Sequence, residues 1–349
     1  MEKTCKNYLH EQVALHPSMQ PQDVVKFLFQ AAFGAEHLLT DKDFAFAWLK
    51  KEFEDIEVTN VSGKLYEQIH DKVCRINLRE WKRRKMPIEW LFRIFVESAS
   101  YANMYGGQRL FEQSLQEVEA LIQGGVFGFS MKEWQETSKQ GPVHHSEVYR
   151  QQEKPAYRVV CSRYIRLLPI LEELARLSQG EVHTIAIDGR CASGKTTMTE
   201  MLAKVLEAGV IHMDDFFLPM ELRTKERFAT PGGNVHYERV AEEVLPRLKT
   251  GETFSYRRFD CSKMALGEDV AVKGSQYYII EGAYSCHPAL GDYTSLKVFS
   301  DVEKTEQLER IRRRDGEEHL EAFEKKWIPL EEAYIADLSS HGKEFDLIV

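Results

Sequence analysis

Residues 183–197, His-Thr-Ile-Ala-Ile-Asp-Gly-Arg-Cys-Ala-Ser-Gly-Lys-Thr-Thr, carry a short apolar strand into a glycine-rich loop. Gly189, Gly194, Lys195 and Thr196 meet G-x-x-x-x-G-K-[ST] at every fixed position. The chemistry dictates this spacing. A strand delivers the chain to a tight turn whose backbone N–H groups point inward at phosphate oxygens, and a following helix adds the pull of its N-terminal dipole. The phosphate contacts expected are Gly189, Ala192, Ser193, Gly194, Lys195, Thr196 and Thr197. Lys195 would reach the β/γ-phosphates of ATP, and the Thr196 hydroxyl would ligate Mg²⁺. Ile185, Ala186 and Ile187 before the loop read as a buried strand; Met198, Met201, Leu202, Val205 and Leu206 after it recur at helical spacing.

At 349 residues the chain is long for one core, so two domains are expected. A net charge of −9 argues against general binding of nucleic acid or anionic membrane. The one basic run, Lys82-Arg83-Arg84-Lys85, reads as a solvated helix end. No apolar run approaches 18 residues, and no signal-peptide pattern opens the chain. Six cysteines stand far apart without C-x-x-C, which fits reduced thiols and a cytoplasmic location. A homo-oligomer stays open.

Up to about residue 178 the sequence reads as all-α. Pro17-Ser18 opens one helix, with Val24, Val25, Leu28 and Phe29 on one face. Further helices are expected over 44–53, 65–81, 88–101, 110–122 and 156–177. From 179 the pattern alternates strand and helix. Strands are expected at 183–187, 209–213, 277–281, 296–300 and 345–349, with helices at 195–207, 236–249, 303–314 and 317–338. Continuous apolar runs such as Tyr277-Tyr278-Ile279-Ile280 suit strands covered on both faces. The fold expected is therefore a doubly wound parallel α/β sheet, an α/β P-loop NTPase, over 179–349. In such sheets ligands sit beyond the carboxyl ends of the strands.

The strand exits carry the remaining chemistry. Asp214 and Asp215 follow the second strand, and two carboxylates beside a phosphate loop suit a general base and an indirect Mg²⁺ contact. Glu281 ends the next strand, close to where a metal would lie. Arg310 and Arg314 share one helix face at i, i+4 spacing, where cations can close over a transferring phosphoryl group.

Together these residues resemble the uridine kinase family of P-loop kinases, in the nucleoside and nucleoside monophosphate kinase-like group. The resemblance spans 183–349. Its segments are Asp188–Thr196, His212-Met-Asp-Asp-Phe-Phe-Leu-Pro219, Ile279–Gly282 and Arg310–Asp315, joined by Pro231–Asn234, Tyr237–Arg239 and Tyr256-Arg-Arg-Phe-Asp260 on the acceptor side. It implies Asp214 as the base for the acceptor hydroxyl, Glu281 in the metal shell with Thr196, and Arg310 and Arg314 in a lid. Asp214, Asn234, His236, Tyr256 and Asp260 are then the candidate acceptor contacts. Two departures stand out. Uridine kinases carry a ribose-binding acid after the proline of the third segment, where this chain has Gly232-Gly233; and Glu317-Glu318-His319 replace further lid arginines. The expected activity is ATP- and Mg²⁺-dependent phosphoryl transfer to a small nucleoside-like acceptor. Another small alcohol, such as a vitamin or sugar phosphate, and a nucleotide-binding regulator that controls the helical half are the alternatives.

The first half resembles an uncharacterised bacterial helical family fused to such kinases, on Gly34-Ala-Glu-His-Leu-Leu39, Gly141–Arg150 and Pro155–Arg158. Glu36, His37, His144, His145 and Glu147 would form a metal or acid/base site if these segments meet.

Overall fold

The computed structural model describes residues 5–35, 41–58, 62–101, 104–139, 144–340, 342 and 344–349. They form two compact units, Met1–Leu168 and Pro169–Val349. The expected junction near 178 lies just beyond the helix Leu168–Leu174 that opens the second unit.

The first unit is not all-α. Helices Pro21–Phe33, Lys42–Asp55, Ile88–Ala99 and Gly107–Gln123 form where the apolar spacing places them. The run expected as a helix over 65–81 instead folds as a hairpin, β1 (Tyr66–His70) and β2 (Val73–Asn77), before a short helix Leu78–Arg83. A third strand, β3 (Tyr157–Cys161), replaces the start of the helix expected over 156–177 and pairs antiparallel with β2. The reason is local and tertiary together. Asp71-Lys72 closes a tight turn, Val159 and Val160 favour extended backbone, and β2 gains a partner on each edge. Four of its five residues are buried as a result.

In the second unit, β4 (His183–Gly189), β5 (Gly209–His212), β8 (Tyr277–Glu281), β9 (Leu296–Ser300) and β10 (Leu347–Ile348) build a parallel sheet in the order β10-β9-β4-β8-β5. All four pairings are parallel. Between β5 and β8 the chain makes an antiparallel hairpin, β6 (Phe254–Asp260) and β7 (Ala265–Val272), which period alone did not reveal. Helices Lys195–Leu206 and Lys304–Asp315 sit where expected. The helical stretches around 237–248 and 317–340 each contain one wider π turn, at Val240–Val244 and Phe323–Trp327. β4 is buried at every residue, as a central strand covered on both faces must be. Strand order reverses around it, with β8 on one side and β9 on the other, which opens a crevice at its carboxyl end. Among the described residues, no helix is long and apolar enough to cross a membrane.

Candidate active site

Register brings the strand exits level. Glu281 pairs with Ile187 of β4 and with His212 of β5, while Gly189 pairs with Ser300 of β9. The glycine-rich loop therefore leaves β4 between two neighbouring exits. Gly189 adopts φ +136°, and a Cβ there would come within 2.1 Å of Ser300 O, so only glycine lets β4 and β9 stay this close at this point. Ala192 and Gly194 also take left-handed backbone, at φ 57° and 95°. The loop ends directly on helix Lys195–Leu206, whose first-turn residues Thr196 and Thr197 are exposed.

Lys195 is buried, with Nζ donating to Gly189 O at 2.9 Å and to Arg190 O at 2.8 Å. An ammonium has three N–H donors, so two hold the loop's own shape and one is left for a ligand. Ser193 Oγ is buried with no hydrogen-bond partner among the described residues. An orphaned hydroxyl inside a glycine-rich loop suits a phosphate oxygen.

The candidate metal pair is also assembled. Thr196 Oγ1 lies 3.4 Å from Glu281 Oε1, and His212 Nδ1 lies 2.6 Å from the same oxygen. One hydroxyl and one carboxylate are the donor set of a Mg²⁺ that keeps waters and takes phosphate oxygens, rather than of an all-protein cage. No cluster of three or more His, Cys, Asp or Glu that could hold a metal occurs among the described residues. His212, to which no local sequence pattern gives a role, is thus a direct neighbour of Glu281. Its pKa is raised by the bond to Glu281.

Asp214 and Asp215 differ in their surroundings. Asp215 Oδ2 accepts the Tyr256 hydroxyl at 2.7 Å. Asp214 is exposed. Partial desolvation and then the Glu281 carboxylate raise its pKa, the direction that makes a carboxylate a stronger base. Arg310 donates to Ala192 O at 3.1 Å and pairs with Glu306 at 2.5 Å. Arg314 pairs with Asp315 and stacks over Phe323, near enough to Asp214 to feel its charge.

The acceptor-side residues are a mixed set. Asn234 is buried beside Tyr284, and its Oδ1 has no partner among the described residues. Tyr256 is buried and its hydroxyl is taken by Asp215, so it acts on the site through that acid instead of facing an acceptor. Asp260 is likewise committed, capping its own hairpin turn through Ser262 N at 2.9 Å and Ser262 Oγ at 2.6 Å. His236 is half-buried, and its backbone N–H donates to Phe216 O at 2.7 Å. Gly232 and Gly233 leave no room for an acid. A Cβ at Gly232 would meet the His287 ring at 2.5 Å, and one at Gly233 would meet Arg227 O at 2.0 Å.

A cleft of ≈ 480 Å³ adjoins the loop, lined by Arg190, Asp301, Val302, Gln307, Ile328 and Glu332 among others. Arg190 bridges Asp301 at 2.5 Å and Glu332 at 2.7 Å across it. Burial and then Glu331 push the Cys191 thiol up to about 12, so the loop cysteine is not a reactive thiolate.

In the first unit, Glu36 and His37 lie outside the described residues. His144 and Glu147 are exposed. His145 sits in a buried polar chain: Nδ1 is 2.8 Å from Asp23 Oδ1 and Nε2 is 2.6 Å from the Tyr157 hydroxyl. Asp23, fully buried, also accepts from Ser146 N and Ser146 Oγ. Every ring nitrogen of His145 is thus used within the fold.

No family model matches the chain, and no curated protein does. Among solved structures it is similar to a possible uridine kinase from Bacillus stearothermophilus, at 18% identity and a TM-score of 0.41, over 53% of this chain and 98% of that one. It is also similar to a provisionally named fructose transport system kinase from Silicibacter sp. TM1040, at 20% identity and a TM-score of 0.42, over 53% and 97%.

Proposed function

We propose that the second unit transfers a phosphoryl group from ATP to a hydroxyl of a small acceptor, with Mg²⁺. One observation carries the reading. Register sets the phosphate loop, Thr196, Glu281 and the residues after β5 at one rim of the sheet, in the crevice where strand order reverses.

The loop amides and Lys195 would hold the phosphates, and the cleft beside Arg190 would take the nucleobase. Thr196 and Glu281 would hold Mg²⁺, which when bound offsets charge on the phosphate oxygens. Asp214 takes the proton from the acceptor hydroxyl. The freed oxygen bonds to the γ-phosphorus, and the bond from that phosphorus to the β–γ bridging oxygen breaks, with ADP as the leaving group. Arg310 and Arg314 offset negative charge that builds in the transition state. Such a reaction needs cellular ATP, and with six free cysteines we place the chain in the cytoplasm.

For the acceptor, a nucleoside-like alcohol is the first to test. The crowding at Gly232 and Gly233 favours the second reading, another small alcohol such as a vitamin or sugar phosphate, because no acid can stand there to bind a ribose. Asn234 Oδ1, orphaned in the interior, is the acceptor-side group that a substrate hydroxyl could satisfy. Incubating the chain with labelled ATP and panels of nucleosides, vitamins and sugars tests the proposal. Label transfer to one class identifies the acceptor. Tight ATP binding with no transfer to any alcohol would favour a nucleotide-sensing regulator instead.

A further inference from the structure

One carboxylate joins the root of the phosphate loop to the acceptor side. Asp188, directly before Gly189, is 1% exposed. Its Oδ1 accepts the backbone N–H of Gly189 at 2.7 Å and that of Tyr284 at 3.1 Å. Its Oδ2 accepts the Cys286 N–H at 2.9 Å and, from helix Ile328–Ser340, the Tyr334 hydroxyl at 2.7 Å.

The two oxygens hold different things. Oδ1 holds the loop root and the backbone of Tyr284, which takes left-handed φ 74° just past Glu281. A non-glycine residue keeps that conformation only where its surroundings enforce it. Oδ2 holds the two neighbours of His287, Cys286 along the chain and Tyr334 across a ring face. The His287 ring lies 3° from parallel to Tyr334, with centroids 6.1 Å apart, and stacks on Tyr237 at 4.3 Å. It also crowds Gly232, where a Cβ would meet it at 2.5 Å. Gly232 and Tyr237 belong to the two segments read as acceptor-side. Phosphoryl transfer needs the acceptor oxygen held about 3–3.5 Å from the γ-phosphorus, so these segments must keep register with the phosphate loop.

We propose that Asp188 is a positioning residue for the transfer, setting His287 and the Tyr237 segment against the phosphate loop. The inference rests on the kinase reading above and deepens it. The rival role is support of the phosphate loop alone. That role predicts weaker ATP binding when Asp188 is changed, and no effect of Tyr334. Asp188→Asn turns one oxygen into an amide donor. Placed toward Gly189 and Tyr284, that donor would face two backbone N–H groups. Placed toward Cys286 and Tyr334 it faces only one, because the Tyr334 hydroxyl can turn and accept. The variant therefore keeps the loop root and releases Cys286.

Calorimetry of ATP binding with Mg²⁺, and kinetics with the alcohol that label transfer identifies, separate the two roles on the full chain. Asp188→Asn should lower kcat by about 10²-fold, the scale of a misplacement of about 1 Å, with ATP affinity at the wild-type value. Tyr334→Phe, which frees the same oxygen from one partner, should lower kcat by about 10-fold with the same split. With ATP and Mg²⁺ alone, amide exchange in both variants should rise over residues 286–290 and 235–239 and stay at wild-type values over 189–196. Lost ATP affinity in Asp188→Asn, an unchanged kcat, or exchange that rises at the phosphate loop instead overturns the inference. Should Asp188→Asn fail to fold, Tyr334→Phe decides by itself. A wild-type chain that transfers phosphate to no alcohol overturns the kinase reading, and this inference with it; silent variants of an active chain overturn the inference alone.

Discussion

His212 Nδ1 stands 2.6 Å from Glu281 Oε1, and the two residues are direct partners in the β5–β8 register. The imidazole therefore fixes the carboxylate that faces Thr196. Removing it with His212→Ala should leave metal-free nucleotide binding near wild type, while the Mg²⁺ concentration for half-maximal turnover rises about 10-fold, as for other residues that orient a metal ligand. A Mg²⁺ titration of the rate checks this, and an unchanged midpoint would show that Glu281 needs no such support.

Asp214 and Asp215 are adjacent but not equivalent, because Tyr256 holds only Asp215. Asp214→Asn should lower turnover by about 10²–10⁴ with ATP affinity retained, the range for loss of a positioned base. Asp215→Asn should cost far less, since an amide oxygen can still accept the Tyr256 hydroxyl. Steady-state kinetics on both variants decides, and the reverse ranking would move the base by one residue.

Lys195→Ala should nearly abolish turnover. It removes the cation for the phosphates and also the two bonds to Gly189 O and Arg190 O that hold the loop. Lys195→Arg should not rescue it, because a planar guanidinium cannot replace a compact ammonium enclosed by two carbonyls. Rates of ATP consumption for the two variants test this.

Restoring a ribose-binding acid at the third segment should fail. Gly233→Ala already drives a Cβ to 2.0 Å from Arg227 O, and overpacking of this kind costs about 1–3 kcal/mol. The second unit should melt several degrees lower, read by differential scanning calorimetry. An unshifted melting temperature would mean that the segment around Arg227 yields easily.

The first unit should lose stability as pH rises. His16 bridges Glu67 at 3.3 Å and Glu153 at 3.1 Å. Burial pulls its pKa down, but the bonds to both carboxylates outweigh that and leave it raised. A folded-state pKa above the unfolded value of about 6.5 means that the charged clamp stabilises fully below that value. Its contribution is lost as pH climbs through the raised pKa. Melting curves at pH 6 to 9 should show the decline, and His16→Gln should flatten it.

Local sequence settled the elements whose signal is self-contained. The loop from Gly189 to Thr196 has its spacing written in covalent order, and the helix after it follows from apolar period. β4 and β8 carry continuous apolar runs, Ile185–Ile187 and Tyr277–Ile280, that need no partner to be recognised. Tertiary structure decided what depends on pairing across the chain. β1, β2 and β3 become strands because each finds an edge, and a period of a few residues cannot report an edge 80 residues away. The same holds in the site. Asp214, Lys195, Thr196 and Glu281 are legible because each follows a strand exit or occupies a fixed motif position. His212, Glu331 and Glu332 carry no local pattern. Tyr256 and Asp260 look like substrate contacts in sequence and are hydrogen-bonded within the fold. Which polar side chain is free and which is spent is settled by its neighbours in space, since a hydrogen bond is set by distance and direction rather than by order along the chain.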